Sequence, residues 1–171
     1  KGTRLGRQKA WVELGGITLL QRAVSNLEFL ASEIVIVNAP GAALPAVSSS
    51  VNMKIVHDSV SGKGPLAGIL AGLSASRYEQ NLVLACDMPR VTASLLALLV
   101  TQRDPGRCAT AFRTAADGLP EPLCAIYEPA TLARFRSQVE AGGNPSPRHW
   151  LAAAQPVLLD APGLQALSSI N

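Results

Sequence analysis

Three polar side chains each follow directly after a hydrophobic run that is typical of a buried β-strand. They are Asn38, Asp58 and Asp87. In open α/β sheets, ligands bind beyond the carboxyl ends of the strands. The chain has 12 carboxylates in 171 residues, so this placement indicates a binding site along one edge of the sheet.

Asp87 is the strongest of these candidates. It lies within Leu84-Ala-Cys-Asp-Met-Pro89, where Pro89 stops the strand. A carboxylate there can hold Mg²⁺, which prefers one or two carboxylates together with phosphate oxygens. The alternative interpretation is that Asp87 caps a helix that begins near Val91.

Two glycine-containing segments have the composition of phosphate-binding loops. In Lys1-Gly-Thr-Arg-Leu-Gly-Arg-Gln-Lys9 the glycines let backbone amides approach a phosphate, and Arg4 and Lys9 supply charge. Ser61-Gly-Lys-Gly-Pro-Leu-Ala-Gly68 runs into a predicted helix, whose N-terminus favours an anion or a polar base edge. Neither segment matches a Walker A loop or a GxGxxG fingerprint. A solvated tail and a plain tight turn therefore remain open alternatives.

A third segment, Leu119-Pro-Glu-Pro-Leu123, predicts an extended loop whose conformation is fixed by its two prolines. Glu121 is the only charged residue between them. An ordinary rigid loop is the simpler interpretation. His57 and His149 lack the spacing of a metal pair, and no GxSxG elbow indicates a Ser/His/Asp site.

Composition and charge exclude several functional classes. Lys and Arg number 15 against 12 acidic residues, a net charge of +3 without the basic run of a nucleic-acid binder, and aromatic residues are 4%. Cys86, Cys108 and Cys124 have no CxxC spacing, which predicts no zinc site and favours a reducing cytoplasm. Apolar stretches such as Leu95–Val100 are far shorter than the ~20 residues that span a bilayer. We expect neither nucleic acid nor membrane as a partner.

The elements that must position these residues alternate between strand and helix patterns. The predicted strands are Glu33–Asn38, Met53–His57, Asn81–Cys86, Cys108–Phe112 and Leu123–Tyr127, with weaker candidates at Val157–Leu159 and Leu167–Ile170. The predicted helices are Thr18–Ala31, Leu66–Ser76, Thr92–Gln102, Thr131–Ala141 and Ser146–Ala154. This order predicts βαβ units and a mostly parallel sheet covered on both faces, in one domain.

Four segments in this order resemble the motifs of the molybdenum cofactor guanylyltransferases, the molybdopterin-guanine dinucleotide biosynthesis protein A family of the nucleotidyltransferase superfamily. They are Gly2-Thr-Arg-Leu-Gly-Arg-Gln-Lys9, Gly64-Pro-Leu-Ala-Gly68, Ala85-Cys-Asp-Met-Pro89 and Pro122-Leu-Cys-Ala-Ile-Tyr127. Ser168-Ser-Ile-Asn171 also resembles the strand before that family's Asn-Thr-Pro motif. The resemblance implies a three-layer, Rossmann-like α/β nucleotidyltransferase fold with a mostly parallel sheet, as a single domain over residues 1–171.

The chain departs from the family pattern in two places. The usual Leu-Ala-Gly-Gly beginning of the signature loop is absent, so we expect the N-terminal nucleotide loop, like the C-terminal end, to be truncated. Gln8 stands where members commonly have Asp, so the resemblance assigns no carboxylate role there.

The resemblance implies transfer of GMP from GTP to molybdopterin-bound molybdenum cofactor, with release of pyrophosphate, in the cytoplasm. Molybdoenzymes and cofactor-biosynthesis proteins would be further partners. Arg4, Lys9 and Asp87 would be the catalytic residues, with Asp87 holding Mg²⁺. The implied nucleotide contacts are Gly2, Thr3, Lys9, Asn38, Asp58, Gly64, Pro65, Leu66, Ala67, Gly68 and Asp87.

Other functions remain open from the residues. Arg148 is a candidate for a pterin-phosphate contact, although a solvated helix residue is the simpler interpretation. A cytidylyltransferase of the same cofactor, or another nucleotidyltransferase that acts on sugar phosphates, would need few changes in base contacts. A non-catalytic nucleotide-binding domain is the alternative from another class.

Overall fold

The computed structural model describes residues 9–58, 65–140 and 146–160. The predicted strand Leu167–Ile170 and the segment Ser168–Asn171 lie outside the described residues. Within the described part, no helix combines the length and the apolar character needed to cross a bilayer.

The predicted strands and helices that lie in the described residues appear in the predicted order, with no helix between β3 and β4 or between β6 and β7. The described strands are β1 (Glu13–Leu14), β2 (Ile17–Thr18), β3 (Glu33–Asn38), β4 (Asn52–His57), β5 (Asn81–Leu84), β6 (Ala109–Arg113), β7 (Pro120–Tyr127) and β8 (Val157–Leu159). A short 3-10 helix spans Lys9–Trp11, and the α-helices are α1 (Leu19–Leu27), α2 (Pro65–Ala75), α3 (Ala93–Thr101), α4 (Ala130–Glu140) and α5 (Pro147–Ala153). The bounds of β3 and β8 are those predicted, and most other bounds differ by one to three residues.

Helix α1 is shorter than the predicted Thr18–Ala31. It begins after Thr18, whose hydroxyl accepts a hydrogen bond from the Gln21 amide at 3.1 Å. It ends at Leu27, where the amide of the C-cap residue Glu28 still bonds the Val24 carbonyl and the Glu28 carboxylate accepts from the Ser50 amide at 3.0 Å. The apolar pattern continues to Leu30, so the pattern by itself does not predict that the helix ends at Leu27.

A hairpin that the sequence analysis did not predict precedes α1. Strands β1 and β2 pair antiparallel, with Leu14 opposite Ile17. Gly15 and Gly16 form the turn at φ values of 61° and 76°, which glycine adopts readily and which two-residue hairpin turns require. The Gly-Gly pair was the available signal for this turn.

The predicted proline-fixed loop at residues 119–123 is wrong in one respect. Its prolines are extended, but they belong to β7, where Pro120 pairs with Arg113 beside a register shift in the ladder. Proline tolerates this position because an irregular strand end needs fewer backbone donors.

The strands form a mixed rather than uniformly parallel arrangement. β3 pairs with β4 in parallel, and a four-stranded sheet has the order β5-β7-β6-β8. β7 runs antiparallel to β5 and to β6, whereas β6 and β8 are parallel. β7 is therefore the strand that reverses the direction of an otherwise parallel sheet.

Helices cover both faces of this sheet. Ala125 and Tyr127 of β7 pack in a core cluster with α2, α4 and α5. Cys124 and Ile126, the alternate residues of β7, pack in a second cluster with α3. Since successive side chains of a strand point to opposite faces, β7 separates two helical layers. The predicted three-layer α/β arrangement is confirmed.

Candidate functional site

A cation and a carboxylate that are 78 residues apart in sequence meet where β5 ends. Lys9 begins the 3-10 helix, and its Nζ lies 2.5 Å from Oδ2 of Asp87. Asp87 lies within a turn that follows β5. The Ala85 amide donates to the Leu123 carbonyl of β7 at 2.8 Å, and the Met88 amide donates to the Ala85 carbonyl at 3.4 Å. Asp87 is 14% exposed and Lys9 is 40% exposed, so both remain accessible.

The alternative that Asp87 caps the following helix is wrong. Helix α3 begins after Thr92, whose Oγ1 accepts a hydrogen bond from the Leu95 amide at 3.3 Å. Asp87 therefore does not cap α3, and its carboxylate pairs with Lys9 instead.

Asn38 and Asp58 lie next to each other at the carboxyl ends of β3 and β4. The Asp58 amide donates to the Asn38 carbonyl at 3.1 Å. The Asn38 side chain donates to the Ala42 carbonyl at 2.7 Å and lines the same cavity as Lys9 and Asp87. Asp58 follows β4, one strand further from Asp87.

The segment from Pro65 to Gly68 is the first turn of α2. Leu66 is 0% exposed and Ala67 is 2% exposed, so their side chains belong to the core and only their backbone could contact a ligand. Pro65 and Gly68 line the cavity. The other candidates, Gly2, Thr3, Arg4, Gly64 and also Gln8, lie outside the described residues.

Burial makes the cysteines of this region poor nucleophiles. Burial and the neighbouring Asp87 charge raise the pKa of Cys86 to about 11, and burial raises that of Cys124 to about 12. Both thiols are protonated at neutral pH, and the thiolate is the nucleophilic form. The site is therefore suited to noncovalent binding and charge neutralisation.

A second charged group lies near Asp87, and the sequence analysis did not connect its members. Arg148 Nη1 lies 3.1 Å from Asp117, and Nη2 donates to the Thr114 hydroxyl at 2.9 Å. Arg148 is thus a helix residue, as the simpler interpretation has it, but its side chain is ion-paired and only partly exposed. Burial raises the pKa of Glu121, while the hydrogen bond from the Leu123 amide and the charge of Arg148 oppose this rise and the charges of Asp87 and Asp117 add to it. Neither residue spacing nor periodicity carried a signal for this grouping.

Known proteins share the sequence pattern of this chain. The model of the MobA-like NTP transferase domain matches residues 1–157. A probable molybdenum cofactor guanylyltransferase of Chloroflexus aggregans is 34% identical over 141 residues, which cover 82% of this chain and 65% of the relative. The molybdenum cofactor guanylyltransferase of Pseudomonas paraeruginosa is 31% identical, with 100% of this chain and 85% of the relative covered. The match to the first relative thus spans slightly less than two thirds of that protein's length.

Solved structures show the same fold at low identity. The molybdopterin-guanine dinucleotide biosynthesis protein A of Archaeoglobus fulgidus has a TM-score of 0.66 at 21% identity, covering 93% of this chain and 78% of that one. The 2-C-methyl-D-erythritol 4-phosphate cytidylyltransferase of Thermus thermophilus has a TM-score of 0.68 at 18% identity, covering 95% and 87%. These likenesses establish the Rossmann-like fold of nucleotidyltransferases, and the fold by itself does not choose between bases.

Proposed function

The chain belongs to the family of the MobA-like NTP transferase domain, and on that premise we propose that it transfers GMP from GTP to molybdopterin that carries molybdenum. The observation that carries the proposal is the Lys9–Asp87 pair at the exit of β5, with Nζ and Oδ2 2.5 Å apart. A triphosphate needs positive charge, and a divalent ion on that triphosphate needs a carboxylate. Both are present at one strand exit, where α/β folds bind ligands.

The proposed reaction is an in-line displacement at phosphorus. A terminal phosphate oxygen of molybdopterin forms a bond to the α-phosphorus of GTP. The bond from that phosphorus to the oxygen bridging to the β-phosphate breaks, and pyrophosphate leaves with the electron pair. The attacking phosphate is already anionic, so the step requires no general base. Positioning and charge neutralisation are then the work of the protein.

Asp87 is the residue that we expect to hold Mg²⁺. The part of the chain that the structure describes contains no group of three or more His, Cys, Asp or Glu placed to hold a metal. A single carboxylate fits Mg²⁺ nevertheless, because this ion is commonly bound by one or two carboxylates with substrate phosphates and water. When bound, the ion would supply positive charge that stabilises the charge developing on the triphosphate.

Lys9 has a different task in each state of the proposed cycle. Without nucleotide its ammonium neutralises Asp87. With nucleotide we expect Lys9 to turn toward the triphosphate and to leave the carboxylate to the metal ion. Arg4 would contact the same phosphates, as its place in the basic segment suggests.

The remaining candidates would hold the nucleoside and the acceptor. Asn38 and Asp58 at adjacent strand ends, together with backbone groups at the start of α2, would contact the base and ribose of GTP. Gly2, Thr3 and Gly64 complete this proposed set. The free cysteines suit a reducing compartment, and we expect the protein to act in the cytoplasm with molybdoenzymes and cofactor-biosynthesis proteins as later partners.

The test is Asp87→Asn, which keeps the size of the side chain and removes its charge. We expect pyrophosphate release from GTP, Mg²⁺ and molybdopterin to fall about 100-fold or more, since removal of one electrostatic contact to a transition state costs about that much. Asp104→Asn is the matched control, because Asp104 is exposed in the turn after α3 and its Oδ1 accepts from the Gly106 amide. Turnover of Asp87→Asn at the control's rate would overturn the metal assignment.

The base is tested by thermal shift with GTP, CTP, UTP and ATP, each with Mg²⁺. The proposal expects the largest stabilisation with GTP, since ligand that binds the native state raises its melting temperature. A larger shift with CTP would replace it by the cytidylyltransferase alternative. Nucleotide binding without pyrophosphate release would favour the non-catalytic domain.

A further inference from the structure

Near the carboxyl edge of the four-stranded sheet, the ladder between β6 and β7 shifts its register. Ala111 of β6 lies opposite Ala125 of β7, but Arg113, two residues further along, lies opposite Pro120. An unbroken antiparallel ladder would place opposite Arg113 a residue three positions later in β7. Strand β7 therefore carries extra residues here, and we call residues 121–123 the β7 bulge. Such bulges are common beside active sites, where they redirect side chains or end the pairing.

The β7 bulge holds the turn that contains Asp87. The carbonyl of Leu123, the last residue of the bulge, accepts a hydrogen bond from the Ala85 amide at 2.8 Å. Strand β5 ends at Leu84, so this bond ties the first residue after β5 to the bulge. The position of Asp87 relative to the sheet therefore depends on where the bulge places the Leu123 carbonyl.

Two side chains of β7 fix the backbone of the bulge. Oε1 of Glu121 accepts a hydrogen bond from the Leu123 amide at 3.0 Å. The Tyr127 hydroxyl donates to the Pro122 carbonyl at 2.8 Å, and this bond is buried. A buried backbone group without a partner is costly, and a bulge removes such groups from the regular ladder. The carboxyl and the hydroxyl therefore supply hydrogen bonds to backbone groups at the point where the ladder is irregular.

Both side chains are themselves held in place. Tyr127 is 0% exposed, and its ring lies against Phe135 with centroids 5.9 Å apart, so its hydroxyl has a fixed position. Burial raises the pKa of Glu121, and the charges of Arg148 and Asp87 also act on its carboxyl. The bulge thus lies between the Asp87 turn and the Arg148 group.

We propose that Glu121 and Tyr127 are positioning residues, which lock the β7 bulge and thereby hold Asp87 in the geometry that binds a divalent ion. The inference rests on the proposed function for the role of Asp87. Neither side chain has to touch the nucleotide, since each acts through the backbone of β7. Loss of either bond would let the Leu123 carbonyl move and would loosen the turn at Ala85. Residues that orient a metal-binding group in this way commonly affect metal affinity or activity by about 10-fold to 100-fold.

A direct contact between Glu121 and the metal ion is the rival role, and two substitutions separate it from positioning. Glu121→Gln keeps a carbonyl oxygen that can accept from the Leu123 amide and removes the charge. Tyr127→Phe keeps the ring in the core and removes the hydroxyl that bonds Pro122. Positioning predicts that Glu121→Gln resembles the parent chain and that Tyr127→Phe resembles Glu121→Ala. Direct metal binding predicts the opposite for both variants.

The first measurement is amide hydrogen exchange by NMR, on the full chain without nucleotide or metal. We expect Glu121→Ala and Tyr127→Phe each to speed exchange of the Ala85 amide by about tenfold or more, because its acceptor is no longer held. Glu121→Gln should keep the parent rate. The ladder between β3 and β4 belongs to another sheet and should be unchanged in every variant. Equal acceleration in that ladder would indicate general destabilisation and would overturn the inference.

The second measurement is the dependence of pyrophosphate release on Mg²⁺ concentration. For Glu121→Ala and Tyr127→Phe we expect the half-maximal Mg²⁺ concentration to rise about tenfold or more, with a smaller change of the rate at saturating Mg²⁺. Loss of folded protein would lower the rate and leave this concentration unchanged. Asp104→Asn, in the exposed turn after α3, is the matched control and should keep the parent value.

Three further results would overturn the inference. They are parental exchange at Ala85 in Glu121→Ala and Tyr127→Phe, a parental Mg²⁺ requirement in these two variants, or a loss in Glu121→Gln as large as in Glu121→Ala. A parent chain that releases no pyrophosphate would count against the proposed function instead. Exchange at Ala85 would then still decide whether the two side chains hold the Asp87 turn.

Discussion

Lys9 and Asp87 neutralise each other in the structure, and this pairing has a consequence for binding. An ion pair with its carboxylate 14% exposed keeps much of its interaction out of water. Under the proposed function, a nucleotide would have to displace Asp87 from Lys9 before it gains that contact. Substitutions at these two positions should consequently be non-additive, because each removes the partner of the other.

Lys9→Met keeps the aliphatic stem and removes the charge. We expect the dissociation constant for GTP to rise about tenfold to a hundredfold, since a hydrogen bond to a charged group contributes about 1.5–3 kcal/mol. Titration calorimetry with GTP and Mg²⁺ measures this change. Lys54→Met is the control, because Lys54 pairs with Glu33 at 3.2 Å at the opposite end of β3. Equal affinities for the two variants would remove Lys9 from the nucleotide site.

Glu33 predicts how stability depends on pH. Burial opposes its ionisation, but hydrogen bonds from Lys54 and Arg77 outweigh burial and hold the pKa of Glu33 below its usual 4.5. A carboxylate with a lowered native pKa adds stability above the unfolded value, and this stability is lost as pH falls through the native pKa. We expect the free energy of unfolding to decrease below about pH 4.5, the ordinary pKa of this group.

The measurement is urea unfolding between about pH 3 and pH 7 with Glu33→Gln. In Glu33→Gln the free energy of unfolding should decrease less as the pH falls. Glu79→Gln, a change at an exposed position just before β5, should show the same pH dependence as the parent chain. Identical curves for Glu33→Gln and the parent would show that other carboxyl groups govern the acid response.

Helix α3 follows the turn that contains Asp87 and helps to position it. The N-terminus of α3 is capped by the hydroxyl of Thr92. Thr92 accepts from the Leu95 amide, and Met88 and Val91 pack in the same core cluster as Leu96 and Leu99 of this helix. An N-cap of this kind satisfies a backbone donor that the helix cannot satisfy itself.

Thr92→Ala should lower the free energy of unfolding by about 1 kcal/mol, the usual cost of losing a capping hydroxyl. Thr92→Ser retains the acceptor and should stay close to the parent chain. Chemical denaturation of the three proteins measures the difference. If the serine variant lost as much stability as the alanine variant, packing of the threonine methyl rather than capping would be responsible.

In the molecule as a whole, aromatic packing joins two helices to the sheet. The Phe135 ring of α4 lies between Tyr127 of β7, with centroids 5.9 Å apart, and Trp150 of α5, with centroids 3.9 Å apart. Phe135 and Tyr127 are both 0% exposed. This contact holds the layer of α4 and α5 against β7, the strand that also anchors the Asp87 turn.

Phe135→Ala should cost about 3–5 kcal/mol, because it removes buried contacts and leaves a cavity between three elements. Phe29→Ala is the matched control, since Phe29 is 77% exposed and its removal should change stability by less than about 0.5 kcal/mol. Guanidinium unfolding of both variants measures the two costs. A small loss for Phe135→Ala would mean that α4 and α5 are held by other contacts.

Local patterns were sufficient for the elements and for part of the site. The β-branched run of Glu33–Asn38 predicts β3 with the bounds that it has in the structure, and the strand exits place Asn38 and Asp87 at the cavity. These properties depend on neighbouring residues, whose periodicity and turn-forming types are legible in the sequence. The hairpin turn at Gly15-Gly16 is a local feature of the same kind.

Long-range contacts decided the rest. Four features join residues that are far apart in the chain: the direction of β7, the Lys9–Asp87 distance, the grouping of Glu121 with Arg148, and the cavity lined by β3 and β5. No local pattern encodes such pairings, because strand order and register follow from which surfaces bury one another most completely in the folded molecule. The sequence therefore determined which residues, such as Lys9 and Asp87, could serve the site, whereas packing of the folded chain brought them together at one edge of the sheet.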